Sequence, residues 1–164
     1  MVIKADLHIH TCLSPCGSLE MSPAAIAAAV KKARLDLASI ADHNSALNCP
    51  AFSDACRKEG LWAMFGLEVT SMEEAHVLCI FETADKALEF CDFIYSRLPD
   101  IPNNPEIFGD QVYVDENDNI LGEVEKYLGS AVSLSIDETK DEVFSRSGLF
   151  IPAHIDKPVF SITS

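Results

Sequence analysis

Short apolar runs that end in polar, metal-ligating residue types recur along this chain, and stretches with helical spacing separate most of them. Val2 to Leu7 is the first such run and predicts a buried strand. Ser22 and Pro23 then supply a helix cap and a proline suited to the first turn, and the alanine-rich stretch that follows carries Lys32 and Arg34 where a helix dipole favours cations. Leu37 to Ala41 predicts a second strand running into Asp42, His43 and Asn44. Cys49 to Lys58 reads as a short helix stopped by Gly60. Leu61 to Val69 predicts a third strand with Glu68 near its end, and His76 to Phe81 a fourth with His76 at its head. Ala84 to Arg97 has helical spacing.

Beyond Pro99 the pattern breaks. Gln111 to Leu121 reads as a hairpin turning at Glu116 to Asn119, and a capped helix is expected from Asp137 to Ser145. Leu149 to Ile151 then predicts a fifth strand, followed by Pro152, Ala153 and His154. The expected class is therefore α/β. His8, His10, Asp42, His43, Glu68 and His154 fall at or just beyond the C-terminal ends of predicted strands, the end that holds the active site in barrels and sheets built from β/α units.

Composition sets the frame around this pattern. At 164 residues and 48% hydrophobic, the chain is expected to fold as a single domain over its whole length. The net charge of −14 argues against a broad nucleic-acid surface, since such binding depends on Lys and Arg neutralising phosphates. A small anionic ligand would instead need local positive charge, which bound metal ions provide. Residues 100–142 hold 12 of the acidic residues and two lysines, so the region 99–147 reads as a solvated acidic insertion carrying the hairpin and helix. A signal peptide and a membrane-length apolar run are not seen, and the chain reads as cytoplasmic, with no membrane partner. Its six cysteines then favour reduced thiols or metal ligation over disulfides.

Each candidate ligand has a plainer reading beside the functional one. Residues i and i+2 of a strand share a side, so His8 and His10 are able to meet one cation, or are two polar residues facing solvent. Asp42 with His43 is a ligand pair or a turn former. Glu68 lies in an apolar run, where a carboxylate is costly unless paired, protonated or bound to metal, or else it sits at an exposed strand end. His76 is a ligand or a satisfied core histidine, and His154 a ligand or a loop residue. All five histidines of the chain fall at candidate positions, which coincidence explains poorly.

The ordered set Asp6-Leu7-His8-Ile9-His10-Thr11, Ala41-Asp42-His43-Asn44, Gly66-Leu67-Glu68-Val69, Ala75-His76-Val77-Leu78 and Pro152-Ala153-His154-Ile155-Asp156 resembles the PHP family, named for polymerase and histidinol phosphatase domains. The resemblance implies a distorted (β/α)7-type barrel with two or three divalent ions, Zn, Mn or Fe, at the C-terminal mouth of its strands. It makes His8 and His10 ligands of a first ion, Glu68 a bridge to a second held also by His76 and His154, and His43 a ligand of a third. Where many members place a further histidine, this chain has Cys16, a softer ligand suited to zinc or iron. Asp6 and Asp42 are expected to orient histidines from behind. The family's last Asp-x-His has no counterpart after His154, and about five strands are recognisable. The barrel is thus expected to be C-terminally incomplete and the chain a fragment or truncated product, its open edge available to a second copy or another partner.

The activity so implied is hydrolysis of a phosphate ester by a metal-activated water, with His8, His10 and Glu68 at the catalytic centre and a small phosphorylated compound or nucleotide as substrate. Two rivals stand beside it: an exonuclease acting on oligonucleotides, and a degenerate module with a regulatory or scaffold role. A structural zinc site using Cys12 and Cys16 is a third reading.

Overall fold

The computed structural model describes residues 2–163. Five strands form one curled, half-barrel sheet in the order β1-β2-β3-β4-β7, comprising β1 (Ala5–Ile9), β2 (Leu37–His43), β3 (Trp62–Thr70), β4 (His76–Phe81) and β7 (Leu149–Pro152). Helices α1 (Pro23–Lys32), α2 (Cys49–Glu59) and α3 (Ala84–Tyr95) connect strands along one side of it. A second sheet has two strands, β5 (Val112–Val114) and β6 (Ile120–Glu123), preceded by the single turn α4 (Pro105–Phe108) and followed by α5 (Ile136–Ser145). No helix among the described residues is long and apolar enough to cross a membrane.

Local chemistry accounts for the helix boundaries. The Ser22 hydroxyl accepts from the Ala25 amide at the start of α1, with Pro23 at the first helical position. Gly60 ends α2 in the left-handed region at φ 69°, which a residue without a Cβ adopts cheaply. Ser135 and Glu138 form a reciprocal capping box, so α5 begins at Ile136, one residue before the sequence pattern indicates. β1 starts three residues later than expected, at Ala5, where its register with Leu37 of β2 begins.

The expected β/α alternation holds only for the first three strands. β1, β2 and β3 run parallel, whereas β4 runs antiparallel to β3 and β7 antiparallel to β4. Only Ser71 to Ala75 separates β3 from β4, too short for a crossover helix, and the amide of Ser71 closes the turn on the Ala75 carbonyl. This reversal brings the first residue of β4, His76, to the end of the sheet where β1, β2 and β3 finish. β7 reverses again, so His154 emerges at that same end.

The sheet's two faces are read off its period of two. Phe65, Leu67 and Val69 of β3 join Val77, Cys79 and Phe81 of β4 in the main core, with Phe52 of α2 and Phe90 of α3. On the concave face, Ala41, Leu78, Ile80 and Ala153 pack with Leu7, Met64 and Ile151. Glu68 shares the parity of Met64 and therefore points into the concavity, above this smaller cluster.

The region 99–147 is not the solvated excursion that its charge indicates. Leu128, Val132, Leu134 and Val143 are buried in the main core, and Val112 and Val114 pack with Cys12 and Ala51. Buried amides fasten it from both sides. Gln111 donates to the carbonyls of Val124 and Lys126 and accepts from the Leu128 amide, while Asn44 donates to the carbonyls of Leu128 and Ser130. The acidic side chains occupy only the outer surface, so mean charge misreports where the backbone runs.

Candidate metal centre

Five histidines and one carboxylate converge at the mouth of the half-barrel. The Glu68 side chain is 1% exposed, and its Oε1 lies 3.1 Å from His8 Nε2, 3.2 Å from His76 Nδ1 and 3.0 Å from His154 Nε2. Its Oε2 lies 3.1 Å from His10 Nε2 and 3.4 Å from His43 Nδ1. Despite these distances, neither carboxylate oxygen has a hydrogen-bond partner of acceptable geometry, and neither has His43 Nδ1. Ring nitrogens also face one another, with His8 Nε2 3.1 Å from His10 Nε2 and His154 Nε2 3.4 Å from His76 Nδ1. Converging lone pairs and unbonded buried oxygens are costly by themselves, and they are the arrangement that cations satisfy.

Three overlapping donor groups result: His10, Cys16 and His43; His8, Glu68 and His154; and His43, Glu68 and His76. In each, all ligand atoms lie within 4.8 Å of one another. The seven residues singled out in the sequence are thus all brought together. The grouping sets His8 with His154 and His10 with Cys16, where the resemblance pairs His8 with His10.

The polypeptide around these donors is tightly specified. β1 is irregular between Asp6 and Ile9, and His8 and His10 still present both rings to one side. Asn44, directly after His43, and His154 have φ of 48° and 40°, in the left-handed region that is uncommon for non-glycine residues. His154 adopts this costly conformation beside the other histidines of the cluster.

Asp42 does not orient an imidazole, contrary to expectation. It is fully buried and accepts from the Thr11 amide at 2.6 Å, the Thr11 hydroxyl at 2.8 Å and the Ser14 hydroxyl at 2.7 Å. The Ser14 oxygen in turn accepts from the His43 amide. Asp42 therefore pins the loop after β1, which carries Cys16, against the strand end that carries His43. Asp6 likewise accepts from the His8 backbone amide, through Oδ1 at 3.2 Å, and hydrogen-bonds no imidazole among the described residues.

Cys16 and Cys12 part company within this loop. The Cys16 sulfur is 3.0 Å from His10 Nδ1, whereas Cys12 is buried against the Asn48 amide and the Val112 carbonyl. The structural zinc reading that joined them therefore fails. All six cysteines are free thiols.

Electrostatics follow from the crowding. Burial pushes the Glu68 carboxyl up, but the imidazoles of His10, His76 and His8 outweigh it and hold the group ionised, far below the usual carboxylate range. Burial also pulls His10 down, yet the adjoining Cys16 thiol and Glu68 raise it to about 10. His43 is lowered to about 4 by burial and by the neighbouring His10, against the pull of Glu68. It is consequently neutral near pH 7, the form that binds metal.

The donor cluster lines an open cavity of about 340 Å³, and Lys157 is the one cationic side chain other than histidine at its wall among the described residues. An adjoining cavity of about 320 Å³ shares Cys16, His43 and His76 and is completed by Ile107, Phe108, Tyr127 and Phe160. Sequence reasoning missed these five residues; only the position of Lys157, three residues after His154, offered a signal. A larger cavity of about 650 Å³ at the opposite end of the strands, between Ile3, Lys31, Arg34 and Trp62, has no group of metal-ligating side chains among the described residues. Size therefore does not mark the site here. Donor chemistry does.

The crystal structure of a protein from Bifidobacterium adolescentis, whose assignment as a metal-dependent phosphoesterase is itself provisional, superposes with a TM-score of 0.65. The match covers 96% of this chain and 69% of that one at 18% identity, a likeness of fold. No curated protein matches the chain. The sequence model of the PHP domain matches residues 6–142, from within β1 to within α5 and including four of the five histidines, and the chain belongs to the PHP domain family.

Proposed function

We propose that this chain is a metal-dependent phosphoesterase that hydrolyses a small phosphate monoester or nucleotide-type substrate. The carrying observation is Glu68, buried and ionised, with both oxygens unbonded and five imidazole nitrogens within 3.4 Å. His8, His10, Cys16, His43, Glu68, His76 and His154 would hold two or three divalent ions, and the thiolate of Cys16 favours zinc or iron over magnesium. Such ions supply Lewis acidity toward the phosphoryl oxygens and lower the pKa of water toward neutrality.

The remaining work falls to the chain's own groups. The two oxygens of Glu68 face different sets of histidines and so fix the spacing between them. Lys157 sets a cation at the cavity wall, where an otherwise acidic protein needs one to draw in a phosphate. In the reaction the P–O ester bond breaks, the water oxygen joins phosphorus, and a proton ends on the departing alcohol. An extended oligonucleotide is less well served, because among the described residues the cavity wall offers no Lys or Arg besides Lys157 against its backbone charge.

The test is turnover of a generic aryl phosphate by protein supplied with Mn²⁺, Zn²⁺ or Fe²⁺, alongside analysis of bound metal. His8→Ala combined with His10→Ala is expected to remove both the metal and the activity. Turnover unchanged by that pair of substitutions overturns the proposal.

A further inference from the structure

Beside the donor cluster, the adjoining cavity has a composition of its own. Its inner wall is His43 and His76, and its outer wall is Ile107, Phe108, Tyr127 and Phe160. Two of these side chains are held open to solvent, Ile107 at 70% and Phe160 at 46% exposure. Large apolar groups facing a cleft next to a polar centre are a recurring mark of a ligand pocket.

The walls are also flat. The Phe108 and Tyr127 rings stack with centroids 4.1 Å apart at 23°, and Phe160 stacks on His76 with centroids 4.9 Å apart at 28°. Phe160 is anchored as well by its carbonyl, which accepts from the His76 amide. On the other side, Asn103 donates to the Gly109 carbonyl at the end of α4. Gly109 has φ 90° and lies so close to Pro15 that a Cβ would come within 2.7 Å of the Pro15 carbonyl. The aromatic wall and the loop bearing Cys16 are therefore fixed against each other. Among the described residues, no Asp, Glu, Lys or Arg lines this cleft.

We infer that the cleft seats the leaving group of the substrate, and that it selects a planar, uncharged ring over a saturated or charged one. This inference rests on the phosphoesterase reading for the placement of the phosphate, at the histidine cluster that forms the inner wall. A ring entering the cleft meets aromatic faces, which favour another planar ring beyond mere burial of area.

Matched phosphonates test this apart from catalysis. Benzylphosphonate and cyclohexylmethylphosphonate have similar bulk and charge and differ in planarity, and neither is hydrolysed. Titration calorimetry on the Mn²⁺-loaded protein is expected to show benzylphosphonate binding about three- to tenfold more tightly. Tyr127→Ala and Phe160→Ala should each reduce that preference toward unity, and Trp62→Ala, an exposed aromatic outside the cleft, should leave it intact. Phe160 is half-exposed, so its truncation keeps the test valid even if Tyr127→Ala misfolds. Equal binding of the two compounds, no binding of either, or a preference that persists in Phe160→Ala overturns the inference. A benzyl preference lost in the variants, with no turnover of benzyl phosphate by the unsubstituted protein, upholds the cleft and overturns the hydrolase reading instead.

Discussion

Among single residues, Asp42 shows how much of a metal centre is built by groups that never touch metal. Its carboxylate is buried, which pushes it up, and the hydrogen bonds from Ser14 and Thr11 pull it back toward the ionised form. Asp42→Ala would strand three donors, two of them hydroxyls and one an amide, in the interior. The expected cost is roughly 2–4 kcal/mol of stability, read as a lower denaturant midpoint with little change in slope. Metal affinity should fall in the same variant, because the loop carrying Cys16 loses its tether. The five histidines were legible in the sequence since histidine is scarce here and each lies close to an apolar run; Glu68 stood out as a carboxylate inside such a run, and Cys16 was reached only through the family resemblance. The role of Asp42 was not, because its partners Thr11 and Ser14 lie about thirty positions away, and no local pattern marks a hydroxyl as a donor to it. Phe108, Tyr127 and Phe160 were equally hidden: an aromatic residue in a loop carries no periodicity to say which cavity it meets.

Gly66 illustrates the constraint that elements place on one another. It sits in β3 opposite Ile80 of β4, and a Cβ there would drive into the Cys79 carbonyl and come within 3.1 Å of the Ile80 Cα. Gly66→Ala therefore forces the β3–β4 pair apart just below Glu68. We expect a loss of roughly 1–3 kcal/mol, which for a chain of this length is a fall in Tm of about 3–10 °C by calorimetry. Strand and helix positions were readable from apolar spacing, to within a few residues at each end. Strand direction was not, since a run such as His76 to Phe81 has the same pattern in either sense. The useful signal was length: the five residues from Ser71 to Ala75 suit a turn and exclude a crossover helix. Reading that length would have predicted the antiparallel pair and explained why a histidine at the head of a strand joins ligands at the tails of others.

For the molecule as a whole, the histidine cluster concentrates positive and polar groups within an acidic protein. Without cations, the five imidazoles and Glu68 face one another with unbonded atoms, so metal binding should stabilise the folded chain by mass action. Dialysis against a strong chelator is expected to lower Tm by roughly 5–10 °C, corresponding to about 2.7 kcal/mol for a metal held at a hundred times its Kd. Readdition of Zn²⁺ or Mn²⁺ should restore it, and an unchanged melting curve would argue that the cluster is not a metal site. Net charge misled about residues 100–142, whose apolar positions enter the core while their carboxylates stay outside. The most direct test of the central claim is anomalous diffraction from crystals grown with Mn²⁺, Zn²⁺ or Fe²⁺. The account predicts two or three peaks around the Glu68 carboxylate, each within bonding distance of one of the three donor groups. Crystals saturated with metal that show no anomalous peak beside Glu68 would contradict it.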